Sequence, residues 1–340
     1  MVCLDGEEIM NNKSVRYGSI IIGLAVLVLL PIVITDRYIQ HIMVLAGIYV
    51  LLAISWNFLA GFAGQLNLGH AAFFGIGAYA SALISMHLHI SPWLGLLLGG
   101  FIAAIFGGLL GIPSFRLSGP FLAITTIGFS EIMRMIAMNW VGLTRGSLGL
   151  YGIPPLTPIR FGEDRAIEFV TEASAYYVIL LLVFAVVYFI RKLHRSEFGI
   201  SVESLREDEL GAESIGINTS QYKLAVFVIS AFIAGTAGAF YAHYVGLISP
   251  NMLSLGITFS IITMVMVGGL GTITGPIIGA VVLTSLSEGL RFVEDAINLD
   301  IRMIIYGIIL ILVILFMRQG LIGVFGGFSR YFNQKPEASR

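Results

Sequence analysis

The chain has 340 residues, of which 57% are hydrophobic and only 11% charged, and its mean hydropathy is +0.92. Soluble domains carry roughly 25% charged residues, so this density excludes a water-soluble protein, and the hydrophobicity excludes a disordered chain. A net charge of −1 speaks against a nucleic-acid partner, and the single cysteine, Cys3, excludes an internal disulfide framework and a multi-thiolate metal site.

What remains is an all-α, polytopic integral membrane protein: a helical bundle in a lipid bilayer. A crossing helix needs about 20 mostly apolar residues, and that rule predicts about ten transmembrane helices. They fall near 17–35, 38–60, 69–86, 92–112, 120–141, 176–190, 223–245, 258–270, 275–290 and 302–317. Continuous apolar runs, rather than alternating ones, exclude a β-barrel. The first run exceeds a signal-peptide core and no small-x-small cleavage site follows, so it reads as a retained helix. The domain layout is then a cytoplasmic N-terminal segment at 1–16, a membrane domain at 17–317 and a cytoplasmic tail at 318–340.

Basic residues orient the bundle. With both termini cytoplasmic, twelve Lys and Arg fall in inside segments, against Arg37, Arg145, Arg160 and Arg165 outside. Two loops are long. The outer one, 142–175, carries Arg145-Gly146-Ser147 and the prolines Pro154, Pro155 and Pro158; the inner one, 191–222, is the most charged part of the chain. Neither is long enough for a separate domain.

Enzyme chemistry has no foothold. No Gly-x4-Gly-Lys-Ser/Thr loop exists to cradle phosphates, no Gly-x-Ser-x-Gly elbow occurs, and the six histidines are scattered. Any active transport must draw on an ion gradient or on another subunit.

Four constellations stand out in chain order. At 61–70, Gly-Phe-Ala-Gly-Gln-Leu-Asn-Leu-Gly-His interrupts two apolar runs, and such backbone cannot face lipid. Gln65, Asn67 and His70 therefore either line a translocation path or belong to a tight helix crossing. In the fifth run Glu131 and Arg134 are i,i+3 neighbours, roughly 16 Å into the helix. They read as a mutually neutralising pair turned to the bundle interior, or as a gate or a site for a zwitterionic substrate. The inner loop at 201–218 reads as a short amphipathic helix with Leu205, Leu210 and Ile215 near one face and a glycine stop at Gly216. It suits docking to a soluble partner as well as a solvated linker. At 268–276, Gly-Gly-Leu-Gly-Thr-Ile-Thr-Gly-Pro breaks the eighth and ninth runs, either as a tight turn or as a broken helix near a path. It is similar to the first break in composition. Glu288, Arg291, Glu294 and Asp295 form an interfacial charge ladder with no assigned role.

Five blocks, in order, carry a resemblance: GFAGQLNLGHAAFFGIGAYASA, AITTIGFSEIMRM, NWVGLTRGSLGLYGIP, LREDELGAESIGINTSQYKLAVFVISAFIAGTAGAFYAH and GGLGTITGPIIGA. Together they resemble the M-type permease subunit of branched-chain amino-acid ABC importers, from about residue 40 to 325. The resemblance implies a bacterial inner-membrane subunit partnered by a second homologous permease, two ATPase subunits and a periplasmic amino-acid-binding protein. ATP would be bound by the partners, and this chain would hold no cofactor. Glu207, Asp208, Glu209, Ala212 and Gly216 would form the coupling helix that contacts an ATPase, although the Glu-Ala-Ala-x3-Gly docking pattern is degenerate here. Permeases for urea and short amides resemble the same group, and a gradient-driven secondary transporter is the rival from another class. The expected path lies at the seam with the second permease.

Overall fold

The computed structural model describes residues 23, 25–113, 117, 119–157, 159–160, 166–167, 171–297, 302–316 and 321. The segments expected at 1–16 and 318–340, apart from residue 321, lie outside them, as do Arg116, Pro158 and Arg165.

Helix follows helix along the chain. Residues 25–33 (α1) are helical. They are followed by α2 (Arg37–Asn57) with a π-helical turn at Phe58–Phe62, α3 (His70–Leu88), α4 (Pro92–Gly111), α5 (Pro120–Asn139) and the short α6 (Val141–Thr144). Then come α7 (Glu172–His194), α8 (Glu197–Glu207), α9 (Glu209–Ser214), α10 (Thr219–Val245), α11 (Leu255–Gly268), α12 (Gly275–Ile297) and α13 (Arg302–Phe316). Each predicted apolar run meets a helix. Six of these helices, α2 to α5, α7 and α10, are each long and apolar enough to cross a membrane, while α11 has only 14 residues.

Local chemistry sets the helix ends. The Asp36 carboxylate accepts from the amides of Tyr38 and Ile39 and starts α2. Pro92 and Pro120 open α4 and α5 where no helical N–H is needed. Asn218 caps α10, and Gly246 ends it in the left-handed conformation.

At the centre is α10, packed against α3, α4 and α2. Its Phe227, Ala231, Ala234 and Phe240 are fully buried. Small residues make the crossing possible: a side chain at Gly77 would strike the backbone of Gly235, and one at Gly107 would strike Ala231. Without a hydrophobic drive between helices in lipid, such close approach is what holds them.

The bundle has two distinct ends. At one, the first break, α8 and the α11–α12 turn meet: Arg206 Nη1 donates to the Gly61 carbonyl at 2.7 Å, and Asn57 Nδ2 to the Thr272 carbonyl at 2.8 Å. At the other, Leu150 and Tyr151 (β1, Leu150–Tyr151) pair antiparallel with Ile248 and Leu247 (a short strand, Leu247–Ile248). There too, His243 Nδ1 lies 2.7 Å from the Pro154 carbonyl and Trp93 Nε1 donates to Thr157. The loops assigned to opposite sides by the basic residues thus gather at opposite ends.

Candidate coupling and translocation sites

At the end that carries the charged loop, α8 buries Gly199, Val202 and Leu205. Gly199 has no room for a side chain, because the His194 carbonyl sits where one would go. Asp208 is extended and breaks the helix expected at 201–218 in two; its Oδ1 accepts from the Gly211 amide at 3.0 Å and starts α9. The break rotates the faces apart. Leu205 turns inward, whereas Leu210 and Ile215 are each 76% exposed, so the three do not share one stripe. Gly216, at φ +89°, stops α9, with Ile217 donating back to the Ala212 carbonyl.

Between α8 and α9 lies an open groove. Ile200, Ala212 and Ile215 supply its apolar surface; Glu203, Glu207 and Asp208 are its acidic members. Of the expected coupling residues, Glu207, Asp208 and Ala212 face this groove. Glu209 instead turns back, its Oε1 2.5 Å from Nζ of the buried Lys223 on α10. Thr219 donates to Glu213 at 2.6 Å, so α9 is held twice to the start of α10.

A second tie joins α8 to the membrane core. Arg206 reaches the Gly61 carbonyl inside the π-helical turn, and its guanidinium also lies against Gly271. Asn57, from the last turn of α2, donates to Thr272 and accepts from the Gly271 amide at 2.8 Å. The two glycine-rich breaks that look alike in sequence are therefore in physical contact, with α8 latched onto both.

The first break folds back into the bundle. Gln65, Asn67 and His70 are all buried. His70 Nε2 lies 2.7 Å from the Ser55 hydroxyl, Asn67 Oδ1 accepts from the Gly69 amide at 2.8 Å, and Trp56 Nε1 donates to the Asn67 carbonyl at 2.7 Å. Gln65 Nε2 reaches the Ala63 carbonyl at 3.4 Å. These contacts satisfy irregular backbone within protein, as the bilayer requires, and they set where α3 begins.

Glu131 and Arg134 pair on α5 through two charge-assisted hydrogen bonds. The pair does not turn into this chain's own core. The Glu131 and Arg134 side chains are 39% and 24% exposed, and Glu131 lines a shallow surface groove with Ile132, Met135 and Asn139. Ions on such a face are costly against hydrocarbon, so this is a face that needs protein or water beside it.

Comparison with known proteins decides the class. The family described as "Branched-chain amino acid transport system / permease component" matches residues 38–314. The chain belongs to this family. It is 31% identical to the high-affinity branched-chain amino acid transport system permease protein LivM of Escherichia coli K12, over 92% of this chain and 76% of that protein. It is 29% identical to the LivH permease protein of Salmonella typhimurium, over 82% and 92%. A probable LivM of Methanocaldococcus jannaschii is 25% identical, over 84% and 93%. No solved structure matches it. The chain is thus a multi-pass permease subunit, a transport component rather than a catalyst.

Three residues of this permease that sequence reasoning passed over organise the site: Asn57, Arg206 and Lys223. Asn57 had a readable signal, a polar residue at the end of an apolar run beside a glycine break. Arg206 and Lys223 entered only as positive charges; nothing in their spacing points to Gly61 or Glu209.

Proposed function

We propose that this chain is one permease half of an ATP-driven importer of hydrophobic amino acids such as leucine, isoleucine and valine. A second homologous permease, two ATPase subunits and a periplasmic amino-acid-binding protein complete the assembly in the bacterial inner membrane, with both termini cytoplasmic. ATP is bound by the partners. The observation that carries this reading is the exposed, acidic-rimmed groove of α8 and α9 tied to the core through Arg206 and Glu209. A surface of this shape receives a partner, and its ties pass the partner's motion to both glycine breaks.

Glu207, Asp208 and Ala212 meet the ATPase; Glu209 and Gly216 hold the shape of the coupling helix. Transport is alternating access. Because a ligand shifts an equilibrium only by its differential affinity for the two states, the nucleotide-driven partner binds the two bundle states unequally. Glu131 and Arg134 face the seam with the second permease, while Gln65, Asn67 and His70 shape the inner end of the path.

The test is co-expression of this chain with its neighbouring reading frames. ATPase subunits are expected to co-purify, and reconstituted vesicles to take up leucine, rather than urea, only with ATP. Replacing Leu210 and Ile215 by aspartate is expected to reduce co-purification strongly. Leucine uptake by this chain alone, abolished by an ionophore, would refute the reading in favour of gradient coupling.

A further inference from the structure

A cavity of about 370 Å³ lies inside this chain, between α2, α3, α10, α11 and α12. That is the lower end of the range for small-molecule sites. Its depth follows from helix pairing. α11 and α12 run antiparallel, with Gly279 against Met264 and Gly268 against Gly275. Gly268 lies thirteen positions after Leu255, and Glu288 thirteen positions after Gly275. At 1.5 Å per residue, the start of α11 and Glu288 are level, each roughly 20 Å from the coupling end. The chain enters this depth as irregular structure, the 3-10 turn Pro250–Leu253, packed on Gly75 and bonded to Ser130. α11 is therefore a half-helix that begins within the bundle.

The cavity has two electrical poles. One is the N-terminus of α11, lined by Ser254, Gly256 and Ile257. The first amides of a helix lack partners within it, and the Ser254 side chain makes no capping bond to them. Gly256 thus offers its N–H group, and the helix start the positive end of a dipole, to an anion. The other pole is on α12. Glu288 is 9% exposed; its Oε2 accepts from the Tyr38 hydroxyl at 3.3 Å, and exposed Arg291 stands 3.8 Å away. One turn earlier Thr284, 2% exposed, lines the same cavity, and among the described residues its hydroxyl has no hydrogen-bond partner. A buried polar group left so is costly. Ile48, Phe74 and Met264 form apolar wall.

A positive pole, a carboxylate with a waiting hydroxyl, and an apolar wall match one chemical class: an α-amino acid with an aliphatic side chain. We propose that this cavity is an amino-acid site within the permease itself, with the substrate carboxylate at the start of α11 and its ammonium on Glu288 and Thr284. The proposal rests on the amino-acid importer reading and adds a site inside one subunit to the seam between two.

The test uses the whole importer, with Cys3→Ser and Ser287→Cys, in proteoliposomes. Labelling of the new thiol by a membrane-impermeant thiosulfonate is followed with leucine, isocaproate (no ammonium) or isoamylamine (no carboxylate). Leucine is expected to protect and the two analogues not. Glu288→Gln is expected to raise the protecting leucine concentration about tenfold or more, and Thr284→Val to raise it less. Tyr38→Phe, which removes a hydrogen bond to Glu288 but keeps the carboxylate, is expected to raise it less than Glu288→Gln does. An unchanged protecting leucine concentration in Glu288→Gln, or equal protection by isocaproate, overturns the site while leaving the importer reading intact. A wild-type importer that carries urea and no amino acid overturns both.

Discussion

Arg206 is the residue on which most depends for the least visible reason. A guanidinium that donates to the Gly61 carbonyl and lies against Gly271 replaces solvent at two glycine breaks at once. A hydrogen bond from a charged donor contributes about 1.5–3 kcal/mol, too little to decide folding but enough to decide whether α8 and the breaks move together. Arg206→Ala is therefore expected to leave ATPase subunits bound and to lower ATP-driven uptake about tenfold, measured in proteoliposomes against ATP hydrolysis. Uptake that keeps pace with hydrolysis in this variant would remove Arg206 from the transmission. Lysine at 206 keeps the charge but not the planar fork, so it restores uptake only in part.

Among elements, α5 is, with α7, one whose surroundings this chain leaves incomplete. Only Leu122, Ala123, Thr126, Ser130 and Ala137 of its residues are buried, and the Glu131–Arg134 pair lies on its half-covered side. A lone charge at membrane depth costs about 2.5–3.5 kcal/mol on insertion scales. Each member of the pair thus protects the helix from the other. Arg134→Ala is expected to lower the thermal midpoint of the purified complex more than Arg134→Ala with Glu131→Ala. Equal midpoints for the single and double variants would mean that the pair does not act as a unit. The same helix shows why the interior placement expected from sequence differs from the structure. Cost in lipid says that a charge must find protein or water; it does not say whose protein.

For the whole molecule, the division into a rigid centre and exposed flanks is the organising fact. α10 with α3 and α4 is built on glycine and alanine contacts that leave no room for adjustment, whereas α5 and α7 expose Ile124, Ile132, Leu181 and Tyr188. Motion arriving at α9 through Glu209 and Lys223 enters at the start of α10, the most contacted helix of the centre. Rocking as a body is the natural response of such a core, since packed interiors switch rather than deform. If the α5 face is the seam, Ile132→Cys is expected to cross-link to a cysteine placed on the second permease, and the cross-link to stop uptake. Cross-linking to the second permease from α7 at Leu181→Cys instead would relocate the seam.

The membrane class, the helical bundle, the separation of the two long loops to opposite ends and the permease family were all legible in the chain, because hydropathy, basic-residue bias and ordered motif blocks are local properties. So was the weight on Gln65, Asn67 and His70 as residues that cannot face lipid. What no spacing could show was who meets whom. Asn57 joins two breaks separated by more than two hundred residues, Asp208 splits a helix that periodicity drew as one, and Glu288 faces the start of α11 only because α11 and α12 pack antiparallel in register. Those facts depend on packing across long sequence separations, where the bilayer demands that every polar group find a partner but leaves the choice of partner to the fold.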